Sequence, residues 1–226
     1  MRLLLTSAGI SNPSIEAALL AMLGKPIANA VALCIPTASY GHPMAGPVNA
    51  RRFVAGTEPE CPMTGLGWKS VGLLELTALA SLGSDRWIDW VRAADVLLVD
   101  GGHARFLAHW MTESGLVTLL PSLDAVWVGL SAGSMVMTPR IGHEFVEWHP
   151  ELGDDRTLGL VDFSIFPHLN NPGLPWNTLE NARRWAAKLD GPCYAIDDQT
   201  AIAVVDGHAE VISEGSWELV RVGRSG

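Results

Sequence analysis

Ala125-Val126-Trp127-Val128-Gly129-Leu130-Ser131-Ala132-Gly133-Ser134-Met135-Val136-Met137 is the stretch from which the rest of this chain is read. A short apolar run of β type ends on Gly129-Leu130-Ser131-Ala132-Gly133, and small residues that can open a helix follow. This is G-x-S-x-G at a strand-to-helix turn, the context in which the pattern has chemical meaning. The two glycines let the backbone turn tightly, so the serine hydroxyl stands beyond the carboxyl end of the strand. The Ser134 hydroxyl and its small neighbours leave room for a ligand above the turn. The plainer alternative is a strand end bounded by glycine and carrying an ordinary capping serine.

Working outward, strands alternate with helices on both sides of this stretch. Leu3 to Thr6 reads as a first strand, ending on Ser7-Ala8-Gly9, and a helix from about Ser14 to Leu23 follows Asn12-Pro13. Residues 30–35 form a short, wholly apolar run closed by Pro36, as expected of a parallel strand buried on both faces. A helix over 47–55, a loop over 56–67, a strand over 71–76 and a helix over 85–92 come next. Residues 94–99 give a strand ending on Asp100-Gly101-Gly102, with helices over 103–111 and 115–123 before the strand at 126–130. Repeated βαβ units predict an α/β fold, a doubly wound and mostly parallel sheet, with ligands beyond the carboxyl ends of its strands. Ser7, Asp100-Gly101-Gly102 and Ser131 all fall at such ends.

Beyond residue 140 the pattern changes. The polar and aromatic segment 140–157 reads as a loop or short hairpin, 160–166 as a strand running into Pro167-His168, and 178–189 as an amphipathic helix. Short strands are expected at 194–196, 201–205, 209–213 and 217–222, with Asp206-Gly207 as a hairpin turn. With neither repeats nor a linker, the economical reading is one domain over residues 1–226 with an antiparallel C-terminal extension.

Composition narrows the function classes. The 226 residues are 48% hydrophobic, with nine Trp, two Tyr and a mean hydropathy of +0.22, enough for a substantial core. A net charge of −9 with scattered basic residues argues against a nucleic-acid surface. Cys34, Cys61 and Cys193 form no C-x-x-C pair or disulfide framework, and Cys34 and Cys193 read as small buried hydrophobes. The N-terminal apolar run is too short for a signal segment and no run approaches a membrane span, so a cytoplasmic location is expected.

A serine hydroxyl is a poor nucleophile until a base removes its proton and a third group orients that base. Of seven histidines, His42 and His103 follow strand ends, His109 lies within a helix, His143 and His149 in the polar loop, and His208 beside a hairpin turn. His168 is the best candidate, held by Pro167 beside Leu169-Asn170-Asn171-Pro172. Asp197-Asp198 ends another short strand; one of these carboxylates can orient the histidine while the other hydrogen-bonds the turn. The usual α/β-hydrolase order of serine, acid, histidine selects Ser131, Asp198 and His208. That choice puts the base on an Asp-Gly hairpin close behind the acid, so order and context favour Ser131, His168 and Asp198. Backbone amides of Ala132, at a helix N-terminus, and of Asp100-Gly101-Gly102 can supply an oxyanion hole.

Leu98-Val99-Asp100-Gly101-Gly102, Gly129-Leu130-Ser131-Ala132-Gly133, Phe166-Pro167-His168-Leu169-Asn170 and Ala195-Ile196-Asp197-Asp198-Gln199-Thr200 together resemble the serine peptidases of the peptidase E (aspartyl dipeptidase) and cyanophycinase group. The resemblance covers nearly the whole chain. It implies a fold like class I glutamine amidotransferases, with Ser131 as nucleophile, His168 as base, Asp198 as acid, and Gly102 and Ala132 as oxyanion donors. Gly101 and Asn170 fall where substrate would bind. It implies hydrolysis of short peptides with no metal or organic cofactor, a small peptide as partner, no nucleic acid or membrane, and a homodimer as an allowed assembly. Two departures stand out. The acid is Glu in the aspartyl dipeptidases and Asp here, which asks the strand to sit closer to His168. Leu179 stands where those enzymes resemble one another in an Arg that pairs with the substrate's aspartyl side chain, and Arg183, one turn later, is the available substitute. Strict Asp-X preference is therefore in doubt. The rival readings are an esterase, a cyanophycinase-like enzyme, and a non-catalytic ligand-binding or sensing module on the same scaffold.

Overall fold

A computed structural model describes residues 1–57, 62–149 and 154–221. Cys61, Val222 and parts of the two expected loops lie outside the described residues. In chain order the elements are β1 (Arg2–Thr6), α1 (Pro13–Leu23), β2 (Val31–Ile35), α2 (Thr37–Tyr40), α3 (Gly46–Ala55), β3 (Ser70–Leu73), α4 (Leu76–Leu79), α5 (Ile88–Arg92), β4 (Val96–Val99) and α6 (Ala104–Glu113). They continue with α7 (Leu116–Leu119), β5 (Val126–Leu130), α8 (Ala132–Met135), β6 (Ser164–Phe166), α9 (Leu179–Ala186), β7 (Pro192–Ile196), β8 (Thr200–Val205), β9 (His208–Ser213) and β10 (Trp217–Arg221).

The fold is α/β, with a mixed, mostly parallel sheet in the order β3-β2-β4-β5-β1-β8-β9. The first five strands run parallel; β8 joins β1 antiparallel and β9 pairs antiparallel with β8. Alternation along the strands sends side chains to opposite faces. Leu4, Ala32, Cys34, Leu98 and Val128 pack with α1 through Ile15, Leu19 and Met22. Leu3, Leu5, Leu33, Val99 and Trp127 pack on the other face with α6, α7 and α8. Both faces are covered, which is why the central strands are apolar throughout. The α1 helix starts as its sequence predicts: Asn12 caps it by accepting from Ile15 N, Pro13 opens it, and Gly24 closes it in the left-handed region.

Several boundaries shift for identifiable reasons. The strand expected over 71–76 ends at Leu73, because Glu75 leaves it to cap α4 by accepting from Thr77 N. The helix expected over 115–123 gives way to a 3₁₀ turn at Leu120–Ser122, around Pro121. The strand expected over 160–166 keeps only Ser164–Phe166: the amides of residues 158–161 are donated to the carbonyls of Val136, Met137 and Thr138.

The expected C-terminal extension divides between two sheets. The β8–β9 hairpin, turning on Asp206 and Gly207 at φ 50° and 79°, extends the main sheet. The β7 and β10 strands pair antiparallel with each other, and β6 pairs parallel with β7, in a separate sheet of order β10-β7-β6. That small sheet has its own core of Phe166, Ala182, Trp185, Ala186, Leu189, Cys193 and Ala195, contributed partly by α9.

At the main sheet's centre, fully buried Trp127 donates from Nε1 to the Gly133 carbonyl at 2.8 Å, fixing the turn that follows its own strand. Trp127→Ala removes both the ring and that donor, and is expected to lower the unfolding free energy by about 3–5 kcal/mol in urea titration.

Candidate active site

The turn after β5 is forced by close backbone approach. A Cβ on Gly129 would lie 2.3 Å from the Gly133 carbonyl oxygen, and one on Gly133 would lie 2.5 Å from that of Val99, so both positions require glycine. Between them Ser131 adopts φ 49° and ψ −106°. Such a conformation costs a non-glycine residue of order 1–3 kcal/mol and persists only where its surroundings hold it. Here Ser131 N donates to Thr6 O at 3.0 Å, and Ser131 O accepts from Ser134 N and Met135 N at 2.9 Å each. Ser134, expected beside the ligand, is instead fully buried and structural. Its hydroxyl lies 2.8 Å from the carbonyl oxygens of both Thr6 and Gly129. The α8 helix is a single turn, so the macrodipole expected behind Ala132 reduces to the amides of that turn.

Ser131 opens onto a cavity of about 760 Å³, whose wall also includes Gly101, Gly102, Pro167 and His168. Among the described residues the Ser131 hydroxyl makes no hydrogen bond. His168, just past β6, has φ 56°; its amide donates to Ser7 Oγ at 2.7 Å and Asn177 Nδ2 donates to the preceding Pro167 carbonyl at 3.0 Å. His168 Nδ1 lies 2.6 Å from Asp198 Oδ1, so Nδ1 carries a proton and Nε2 is left as an acceptor, unpartnered among the described residues. Asp is long enough to make this contact despite its missing methylene. Asp198 Oδ1 also accepts from Ser7 Oγ at 3.0 Å, and Oδ2 accepts from Asn171 Nδ2. Burial pushes the Asp198 carboxyl up, but hydrogen bonding and charge from His168, with the donors Asn171 and Ser7, outweigh it and hold it below the ordinary carboxylate range. Asp197 does the other job: it accepts from Gln199 N, Thr200 Oγ1 and Ser216 N and fixes the turn.

Gly101 and Gly102 line the cavity beside Ser131, after β4. Gly102 has φ 135°, and a Cβ there would sit 2.3 Å from the Ala38 carbonyl carbon and oxygen, so the backbone alone fits. The amides of Gly102 and Ala132 make no hydrogen bond among the described residues. Asp100 accepts from Gly101 N at 2.8 Å and Ser39 Oγ at 2.7 Å.

Other expected residues lie elsewhere. Asn170 is exposed at φ 57° and absent from the cavity wall; its neighbours Asn171 and Asn177 make the contacts, to Asp198 and Pro167. Arg183 is also absent from the wall, its guanidinium forked onto the Glu218 carboxylate at 2.9 Å for both bonds. Leu179 packs against the small sheet's core. His208 stands exposed on the β8–β9 hairpin. Sequence reading gave no specific role to Ser7, nor to Arg52, Glu144, Glu147 and Trp176, which line the cavity. Position at the carboxyl end of the first strand was the available signal for Ser7. Nothing local marked the others. Among the described residues no group of three or more His, Cys, Asp or Glu side chains is arranged to hold a metal ion, and no helix is long and apolar enough to cross a membrane.

His103 lines the cavity too, but as a fixed neutral group. It is 2% exposed at the N-cap position of α6, and its Nε2 accepts from Glu147 N and Trp148 N at 2.8 Å each, which leaves the ring proton on Nδ1. Burial, with the charges of His42 and Arg105, pushes its pKa down to about 4.

Compared with known proteins, residues 3–212 match the model for peptidase family S51. An uncharacterized peptidase of Pasteurella multocida (strain Pm70) is 31% identical over 84 residues, covering 34% of this chain and 41% of the relative. An uncharacterized peptidase of Listeria monocytogenes serovar 1/2a is 28% identical over 121 residues, covering 50% and 58%. The chain thus spans about half the length of the curated relatives it matches. Among solved structures, a protein of Listeria monocytogenes EGD-e named for peptidase E has a TM-score of 0.67 at 19% identity, over 95% of this chain and 98% of that one. A peptidase from an acI-B1 Actinobacterium gives 0.67 at 19%, over 97% and 90%. At such identities the likeness is one of fold.

The His103 imidazole gives stability a pH dependence of definite sign. Its folded pKa lies below the unfolded value of roughly 6.5, so its contribution is complete above that value and lost as pH falls toward about 4. Between pH 7 and 4.5 the unfolding free energy is expected to drop by about 2 kcal/mol from this group. Urea titrations at the two values, compared with His103→Asn, measure it: the variant should lose that part of the slope.

Proposed function

The chain belongs to peptidase family S51, and from that premise we propose that it is a serine peptidase hydrolysing short peptides, as a dipeptidase or another small-peptide exopeptidase. On this reading the whole chain acts as one domain on a scaffold like class I glutamine amidotransferases, a view supported by its central parallel strands covered by helices on both faces. The observation that carries the reading is the pairing of His168 Nδ1 with Asp198 Oδ1 at 2.6 Å, with His168 on the wall of the cavity that also holds a strained Ser131 whose hydroxyl makes no hydrogen bond among the described residues.

The chemistry follows from those roles. Ser131 Oγ attacks the scissile carbonyl carbon while its proton passes to His168 Nε2, and Asp198 stabilises the imidazolium. The carbonyl oxygen becomes an anion held by the Gly102 and Ala132 amides, which have no competing acceptor among the described residues. Collapse of this intermediate breaks the C–N bond; the leaving amine takes the proton from Nε2, and an ester on Ser131 remains. Water, deprotonated by the same nitrogen, attacks the ester and returns the proton to Ser131 as the acid product leaves. No Ser131–His168 hydrogen bond is present among the described residues. Catalytic contacts of this kind often tighten only with substrate in place.

Asp-X specificity has weak support, because Leu179 is built into a core and Arg183 is tied to Glu218. Arg183→Ala is expected to leave the ratio of kcat/KM for Asp-initiated over neutral dipeptides unchanged in a peptide-library assay. Ser131→Ala should lower kcat/KM by about 10⁴-fold or more and abolish labelling by a fluorophosphonate probe. Undiminished turnover would end the reading, and a wild-type protein that neither labels nor cleaves would favour a binding module. His168→Ala should be similarly disabling and His208→Ala silent; the reverse result would restore the α/β-hydrolase order.

A further inference from the structure

Ser7 is joined to the proposed base and acid without itself facing the cavity. We propose that Ser7 is a positioning residue that sets His168 and Asp198 relative to Ser131, an inference that rests on the reading of those three residues given above. Ser7 follows β1 and is fully buried. Its hydroxyl donates to Asp198 Oδ1 at 3.0 Å and accepts the His168 amide at 2.7 Å. A hydroxyl has one hydrogen to give, and here it goes to the carboxylate, so the 3.4 Å approach of His168 Nδ1 to Ser7 Oγ is proximity beside the 2.6 Å bond from Nδ1 to Oδ1.

The hydroxyl bridges two separately built parts. Ser131 stands on the main sheet, whereas His168 and Asp198 follow β6 and β7 of the small sheet. Ser7 is bound into the main sheet through its neighbour: Thr6 O accepts Ser131 N, Thr6 Oγ1 donates to Gly129 O at 2.7 Å, and Ser7 N reaches Thr200 O at 3.4 Å. A single side chain therefore carries the position of the serine turn across to the backbone of the base and to the oxygen that orients it. The amide contact also supports His168 at its positive φ, a region that non-glycine residues adopt uncommonly. Ser11 makes a parallel but less direct link, donating to the Asp198 carbonyl at 2.6 Å, where it touches neither carboxylate oxygen nor imidazole.

Removing the Ser7 hydroxyl leaves the His168 amide without its acceptor and Asp198 Oδ1 with one donor fewer. The imidazole is then less fixed, and the carboxylate, with more charge on that oxygen, pairs more strongly with imidazolium. Asp198 is the charged group bonded to His168; Arg52, His42, Glu144 and Glu147 on the cavity wall are common to wild type and variant. In Ser7→Ala, kcat for a short peptide should fall about 10- to 100-fold with KM within about twofold. The acid limb of the kcat/KM profile should move to higher pH. The same displacement should appear in the NMR titration of the His168 ring, recorded in a Ser131→Ala background where no turnover is needed. The near-isosteric Ser7→Cys, a weaker donor, should change both readouts in the same direction and decides the matter if the alanine variant does not fold. A ring titration and kcat equal to those of wild type in a folded variant would overturn the proposal. A fall in kcat with an unmoved titration would also overturn it, reducing Ser7 to a packing residue. Full activity of Ser131→Ala itself would instead remove the reading on which the proposal rests.

Discussion

Thr6 is the residue on which the cavity's geometry hangs. It is fully buried on β1, between parallel β5 and antiparallel β8, and both its carbonyl and its hydroxyl are committed. Its carbonyl takes the amide of Ser131 and lies within hydrogen-bond distance of the Ser134 hydroxyl; its own hydroxyl donates to Gly129 O and accepts from Gly9 N at 2.8 Å. Those contacts close the strand-to-helix turn from the side, while Trp127 Nε1 closes it from beneath through Gly133 O. A net 0.5–1.5 kcal/mol for each bond, with a larger penalty for leaving a buried partner unmade, is enough to hold one serine at positive φ. The local strain of the turn and the order of the sheet around it therefore have a common cause.

The parts of this molecule that were legible beforehand are those where a local pattern had one physical solution. The apolar runs at 31–35, 96–99 and 126–130 are too short for buried helices and too uniformly apolar for exposed strands, and they emerge as the parallel centre of the sheet. The serine turn, the Asp206-Gly207 hairpin and the Asn12-Pro13 cap were equally readable, since each depends on residues within a few positions of one another. What failed was non-local. Nothing in the residues at 192–196 or 217–221 distinguishes a strand that extends the main sheet from one that pairs in a second sheet. The surroundings of Arg183 and Asn170 are non-local in the same way: periodicity places a side chain on a helix face or in a turn, but only tertiary packing reveals that Glu218 occupies the guanidinium, or that the amides meeting Asp198 and Pro167 belong to Asn171 and Asn177.

The electrostatics of the cavity show the same division. A chain of net charge −9 places Asp100, Glu144 and Glu147 on the wall, yet all three are engaged with protein partners: Asp100 with Ser39 and the Gly101 amide, Glu144 with Lys188, Glu147 with His42. Arg52, Leu174 and Trp176 also line it, so the cavity offers a cation and apolar surface besides the polar groups near Ser131. Such a mixture suits a ligand with both charged and apolar parts better than a polyanion.

The division of the molecule into a large sheet and a small one also bears on how it fails when heated. The small sheet has three strands, one of only three residues, closed at its edge by β10 and tied to α9 by the Arg183–Glu218 fork. Units of this size open at lower free energy than the seven-stranded body beside them. A molecule that has opened there still displays most of its helices and its parallel sheet, but has let go of an imidazole and a carboxylate. On the function proposed above, thermal inactivation would then precede the loss of secondary structure.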